Sequence, residues 1–343
     1  MKMMRSFLLI ISILLLITSC KKEHNRVGLF VYNEIDPFMQ SFAGQIMSLS
    51  SGKFPVQLYY AKNSQVIQNE QIESELQHNP FLLMINPVDR LGSYSIIKTM
   101  KEKNIPIIFF NREPLAEDLA LWNKVYYVGA KAAQSGQLQA ELVMNLFGTD
   151  PKKLNSMDKN SDGKIQLIIL KGEQGHQDAE TRTSEVIQSF EKRDFPIDIL
   201  AIEVANWNYQ EASVKMGKLL QKYETSIELI VSNNDDMALG AIQTLREYGF
   251  LHDTNNDGHV DSHDDRWIPI VGIDGLEEAE KAIAAGYLYG TVKNNSVKMT
   301  EVMIELSLIL LGQKDFSSLS VPIVDDKYLW IDYSPYIFSQ KAE

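Results

Sequence analysis

The sequence predicts an α/β fold of two lobes, each built on a doubly wound parallel sheet with helices on both faces. Apolar runs rich in β-branched and aromatic residues alternate with amphipathic stretches of helical period, the pattern of strand–helix–strand units. The runs are continuous rather than alternating in polarity, as in strands buried on both faces. They fall into two series separated by the polar stretch 149–164, and 343 residues are enough for two cores.

The N-terminus is a targeting segment. Lys2 and Arg5 precede an apolar run, 7–17, that is shorter than the ~18 residues a membrane span requires, so 1–19 reads as a signal peptide. Its end, Leu16-Ile17-Thr18-Ser19-Cys20, resembles the lipobox of bacterial lipoproteins and makes Cys20, the only cysteine, the acylated first residue of the mature chain. Two or more acyl chains, at about 0.8 kcal/mol per buried CH₂, form a stable membrane anchor. Residues 20–26 then form a tether, and the protein works outside the cytoplasm. The first strand series is 27–32, 56–60, 81–85, 106–110 and 126–128; the second is 166–170, 197–204, 228–232, 268–273 and 288–292. Helical period marks 64–77, 132–146, 179–192, 209–222 and 236–248.

Composition narrows the function. A single cysteine and 45% hydrophobic residues exclude a disulfide scaffold and a disordered chain. A net charge of −12, with lysines scattered among acids, argues against nucleic acid. In open parallel sheets ligands sit beyond the carboxyl ends of the strands. The residues there are Asp36 and Phe38, Asn111, His176, Asp178 and Arg182, Trp207, Asn234, Asp274 and Asn294. Carboxylates and amides pair with hydroxyls as donors or acceptors, Arg adds charge-assisted donors, and a pyranose stacks its flat faces on aromatic rings. Taken singly, Asn and Asp at such places are turn formers and helix caps. Their coincidence at strand ends of both series points to a polyhydroxylated ligand.

Four stretches carry a family resemblance: Lys171-Gly172-Glu173-Gln174-Gly175-His176-Gln177-Asp178-Ala179-Glu180-Thr181-Arg182, Phe109-Phe110-Asn111-Arg112-Glu113-Pro114, Ser232-Asn233-Asn234-Asp235-Asp236-Met237-Ala238 and Gly290-Thr291-Val292-Lys293-Asn294. They resemble the bacterial galactose/glucose-binding proteins, a branch of the type I periplasmic binding proteins that feeds an ABC importer and, in some bacteria, a chemotaxis receptor. The resemblance implies two lobes joined by three crossings, with hinges near Ala130, Asn294 and Lys327. The lobes would be 27–130 plus 295–327 and 131–294 plus 328–343, in a monomer. It implies that Phe38 and Trp207 sandwich the sugar, while Asp36, Asn111, His176, Asp178, Arg182, Asn234, Asp274 and Asn294 hydrogen-bond its hydroxyls and ring oxygen.

The polar stretch between the series holds a calcium motif. Asp158, Asn160, Asp162, Lys164 (through its carbonyl) and Gln166 occupy positions 1, 3, 5, 7 and 9 of an EF-hand loop, with Gly163 at 6. Position 12 is Ile169, which cannot ligate; the resemblance assigns the missing carboxylate to Glu228. A second loop, outside the family pattern, carries Asp253, Asn255, Asp257, His259 (carbonyl), Asp261 and Asp264 at positions 1, 3, 5, 7, 9 and 12, with Gly258 at 6. It reads as a further calcium site, weaker because Asp reaches less far than Glu at position 12.

Other readings remain open. One keeps the fold and exchanges the hexose for a pentose or another sugar. A second makes His176, Asp178 and Glu180 the acid–base groups of a carbohydrate-active enzyme, although no serine-elbow, H-E-x-x-H, G-x-G-x-x-G or P-loop pattern occurs. A sugar-responsive regulator would need a DNA-reading segment where the signal peptide lies.

Overall fold

The computed structural model of the protein describes residues 26–263 and 265–338. Cys20, Asp264, the signal expectation and tether residues 20–25 lie outside them; Arg26, expected in the tether, is tied into the first lobe by an ion pair with the buried Glu75 at 2.6 Å. The strands are Val27–Val31 (β1), Val56–Tyr60 (β2), Leu82–Ile85 (β3), Ile107–Phe110 (β4), Val125–Gly129 (β5), Ile165–Lys171 (β6), Ile197–Val204 (β7), Leu229–Ser232 (β8), Ile270–Asp274 (β9), Gly290–Lys293 (β10), Tyr328–Trp330 (β11) and Ser334–Ile337 (β12). They form two six-stranded sheets, ordered β2-β1-β3-β4-β5-β11 and β7-β6-β8-β9-β10-β12. All pairings are parallel except β10 with β12. Each sheet reverses its winding direction once, between β1 and β3 and between β6 and β8, and such switch points open a crevice at the carboxyl ends.

Burial follows strand position. Strands β1, β3, β4, β5, β6, β8 and β9 are buried at every residue, whereas the edge strands β2 and β7 are only partly covered. The helices are Pro37–Ser50 (α1), Gln65–Leu76 (α2), Ser93–Lys103 (α3), Ala116–Leu119 (α4), Ala132–Phe147 (α5), Gln177–Lys192 (α6), Tyr209–Tyr223 (α7), Asp235–Glu247 (α8), Glu277–Ala284 (α9) and Ser296–Leu310 (α10). Helix α10 shows little amphipathic period because it is buried along most of its length, packed on α1 and β5.

The chain passes between the lobes three times. After β5 it enters α5, which packs on α6, β9, β10 and β12. After β10 it returns to α10. The third passage corrects the sequence expectation of a hinge at Lys327. Tyr328, Leu329 and Trp330 pair in register with Tyr127, Val128 and Gly129 of β5, so they belong to the first lobe, and the crossing is 331–333. The reason is packing: Trp330 lies 5.4 Å from the Tyr127 ring and stacks on Tyr328 at 5.0 Å.

Candidate functional site

Residues from the carboxyl ends of both sheets line one narrow cavity, with about 40 Å³ open to the centres of water-sized molecules. Asp36 and Phe38 reach it from the start of α1, Asn111 from the end of β4, and His176, Asp178 and Arg182 from the β6–α6 connection and helix. Trp207 follows β7, Asn234 follows β8, and Asp274 is the last residue of β9. Asn294 does not line it. It is buried beside it, its N–H donating to the Asp274 carbonyl at 3.0 Å and its Oδ1 without a protein partner. Tyr32 and Arg112 also line the cavity and were missed in the sequence. Tyr32 reads as the end of a strand, and Arg112 stands inside a family stretch without being singled out.

Several lining residues also cap helices. Asp36 Oδ1 accepts from Met39 N at 3.1 Å while its Oδ2 accepts from the Tyr32 hydroxyl at 2.7 Å. Asn234 Oδ1 accepts from Met237 N at 3.0 Å. His176 Nδ1 accepts from Asp178 N at 3.1 Å, so the neutral ring carries its proton on Nε2 as a free donor. Burial, then the Arg112, Arg182 and Arg90 charges, pull the His176 pKa from 6.5 down to about 2.

Arg182 is the electrostatic centre. Its Nη1 donates to the Asn233 carbonyl at 2.6 Å and its Nη2 to the Tyr333 hydroxyl at 3.1 Å. Asp178 Oδ2 and Asp274 Oδ1 lie 3.8 and 3.7 Å from the guanidinium. Burial raises the pKa of both carboxyls and Arg182 lowers it, with a net rise in each. The guanidinium stands 5.5 Å from the Trp207 ring centre, and His176 meets that ring edge-on at 5.4 Å.

The backbone is strained at this site. Asn111, Trp207 and Asp274 have φ of 60°, 61° and 123°, values that bulky L-residues rarely adopt. Asp235 steadies the last of these: its Oδ2 accepts from Gly275 N at 2.7 Å and Leu276 N at 2.9 Å, and its Oδ1 from the Thr291 hydroxyl at 2.7 Å. Trp207 lies so close to Gly172 that a Cβ there would fall 2.3 Å from its Cζ2.

The first polar loop is folded as a cation loop. Gly163 N donates to Asp158 Oδ2, Asp162 N to Asn160 Oδ1 and Lys164 N to Asp162 Oδ1. Glu228 closes it, its Oε1 accepting from Lys159 N at 2.6 Å and its Oε2 from Gln166 N at 3.3 Å. Asp158 Oδ1 and Gln166 Oε1 are buried with no hydrogen-bond partner, and unpaired buried oxygens are what a hard cation satisfies. The donor set fits calcium. The second loop repeats the fold: Gly258 N donates to Asp253 Oδ2, Asp257 N to Asn255 Oδ1 and His259 N to Asp257 Oδ1. Positions 4 and 6 have φ of 59° and 78° in the first loop and 60° and 89° in the second. Asp261 N there donates to Asp265 Oδ2 at 3.2 Å. Among the described residues, no group of three or more His, Cys, Asp or Glu is arranged for a metal; both loops draw on amide and main-chain oxygens as well.

No helix among the described residues is long and apolar enough to cross a membrane. Residues 27–315 match the family described as periplasmic binding protein domain. The chain is 34% identical over 312 residues to the D-galactose/methyl-galactoside binding periplasmic protein MglB of Haemophilus influenzae, covering 90% of this chain and 88% of that one. It is 25% identical over 300 residues to the xylitol-binding protein of Mycolicibacterium smegmatis, covering 86% and 75%. An ABC transporter solute binding protein from Bacillus halodurans, solved with bound myo-inositol, shares the fold with a TM-score of 0.72 at 24% identity, covering 93% and 96%. With a family match across most of its length and a relative above 30% identity over nine-tenths of it, the chain belongs to the periplasmic binding protein domain family, whose members bind substrates for transport and are not enzymes.

Proposed function

We propose that the protein captures D-glucose and D-galactose outside the cytoplasm and delivers them to an ABC importer. The observation that carries this reading is the composition of one cavity: carboxylates, amides, a neutral imidazole and a buried guanidinium from both lobes, with Phe38 and Trp207 among its walls. The Haemophilus relative, named for binding D-galactose and methyl-galactoside, supports the hexose. The xylitol-binding relative and the fold neighbour with myo-inositol support a second reading, a pentose or polyol. Titration calorimetry with glucose, galactose, ribose, xylose and xylitol separates them: hexoses bind at least tenfold more tightly on the first reading, and the order reverses on the second.

In this reading calcium is a structural ligand of the first loop, held by Asp158, Asn160, Asp162, Gln166, Glu228 and the Lys164 carbonyl, with a weaker ion in the loop 253–264. Cys20 anchors the protein to a membrane as a lipoprotein, and a chemoreceptor is a further partner of the sugar-bound form.

A further inference from the structure

A second chamber adjoins the sugar cavity at the mouth of the cleft, and nothing in the hexose reading uses it. It opens about 340 Å³ to the centres of water-sized molecules, against about 40 Å³ in the cavity itself. Arg112, His176 and Asp178 line both spaces, so the two abut at these three side chains. Its outer walls come from both lobes, with Arg90 and Glu113 on one side and Glu173 and Gln177 on the other.

The bonds across this chamber are long. Gln177 Nε2 reaches Glu113 Oε2 at 3.4 Å, and Arg112 Nη2 stands 3.5 Å from Glu173 Oε2. Arg90 Nε and Gln177 Oε1 are buried without any hydrogen-bond partner. The chamber is thus walled by donors and acceptors from both lobes that are held apart by long contacts. Guanidinium and carboxylate groups alternate there, which disfavours an occupant of either net charge. Neutral hydroxyls pair with both kinds.

Resting on the hexose reading, we infer that the chamber is a second saccharide subsite: the ligand class extends to disaccharides, with one hexose in the inner cavity and a neutral polyhydroxylated unit between Arg90 and Gln177.

Calorimetry on the full chain tests this with galactose, glucose, melibiose, lactose, maltose and cellobiose, on the parent and on Arg90→Gln and Gln177→Ala. The expected result is that at least one disaccharide binds within about tenfold of its component hexose. Each variant should weaken that disaccharide about tenfold, the worth of one or two hydrogen bonds. Arg90→Gln should leave hexose affinity within about twofold. Gln177→Ala, which also loses the contact with Glu113 across the cleft, should lower it by no more than about fivefold, and the melting temperature should stay near the parent's. Hexose binding with no disaccharide binding at millimolar concentration would overturn the subsite and spare the hexose reading. Equal weakening of hexose and disaccharide in both variants would also overturn it. If no sugar binds, both readings fall together.

Discussion

At the scale of single residues, groups that line the cavity also cap helices. Asp36, His176 and Asn234 each use one atom to satisfy a helix N-terminus, and that bond fixes the side chain's direction before any ligand arrives. In the sequence capping and sugar binding stood as competing roles; the structure shows the capping bonds on residues that line the cavity. Preorganisation of this kind cuts the ordering cost of binding. Trp207 is held by strain at φ 61° and by its contact with the Gly172 backbone. Trp207→Ala should weaken hexose binding by about 1–3 kcal/mol, roughly 5- to 150-fold, through lost stacking and burial. Calorimetry showing parental affinity would remove the indole from the site. Gly172→Ala should cost a similar amount without touching the ligand, because the new methyl displaces the ring.

His176 makes a pH prediction at the same scale. Its folded pKa of about 2 lies below the ordinary 6.5, so between these values the unfolded chain binds a proton that the native one refuses. Stability then rises with pH across that window and is lost on acidification from pH 6.5 downward. Replacing the ring with a group that does not titrate removes this contribution. In thermal melts from pH 7 to pH 4.5, His176→Gln should lose less melting temperature than the parent. An identical pH slope in the two proteins would show that the imidazole is free to protonate in the native state.

At the scale of elements, what the sequence revealed depended on how each element is stabilised. Central strands such as β1, β4 and β8 are buried on both faces and announce themselves as apolar runs. Strand β11 escaped notice because it has three residues, and β12 because it is mostly exposed and carries Pro335, which a sheet tolerates at an edge. That omission is why the third crossing was misplaced at Lys327. Tyr333, the hydroxyl partner of Arg182, sits in this crossing, far in sequence from every family stretch, so no local signal could have placed it beside the site. The first polar loop was legible from the spacing of its oxygens, and Glu228, which only the family resemblance supplied, bonds it from the residue before β8.

The loop also makes the element-scale prediction. If calcium fills the orphaned oxygens of Asp158 and Gln166, binding stabilises the native state by mass action, about 2.7 kcal/mol at a concentration 100 times Kd. At about 2–4 °C per kcal/mol for a lobe of this size, chelation should lower the melting temperature by about 5–10 °C, and Glu228→Gln should abolish the difference between calcium and chelator. Melting curves that superpose with and without chelator would refute the assignment. For the second loop, Asp253→Ala should remove one terbium-binding equivalent and leave the first site intact.

At the scale of the molecule, the two lobes supply complementary halves of one binding surface. Asp36, Phe38 and Asn111 come from one lobe, and His176, Arg182, Trp207, Asn234 and Asp274 from the other, so on the proposed reading a sugar touches all of them only when the cleft is closed. A ligand that prefers the closed form shifts the population toward it, and its apparent affinity scales with the closed fraction already present. Direct contacts between the lobes set that fraction. Arg112 is buried and Glu173 is 42% exposed at 3.5 Å from it, and a pair that wet contributes about 0–1 kcal/mol. Glu173→Gln should therefore reduce hexose affinity by no more than about fivefold, with the change in the dissociation rate, since the pair forms only after the lobes meet. In small-angle scattering, saturating hexose should shrink the radius of gyration of parent and variant to the same value, because the closed end state is shared. A scattering curve unmoved by hexose that calorimetry shows to be bound would mean the sugar enters a cleft already shut, and the closing motion would have no part in capture.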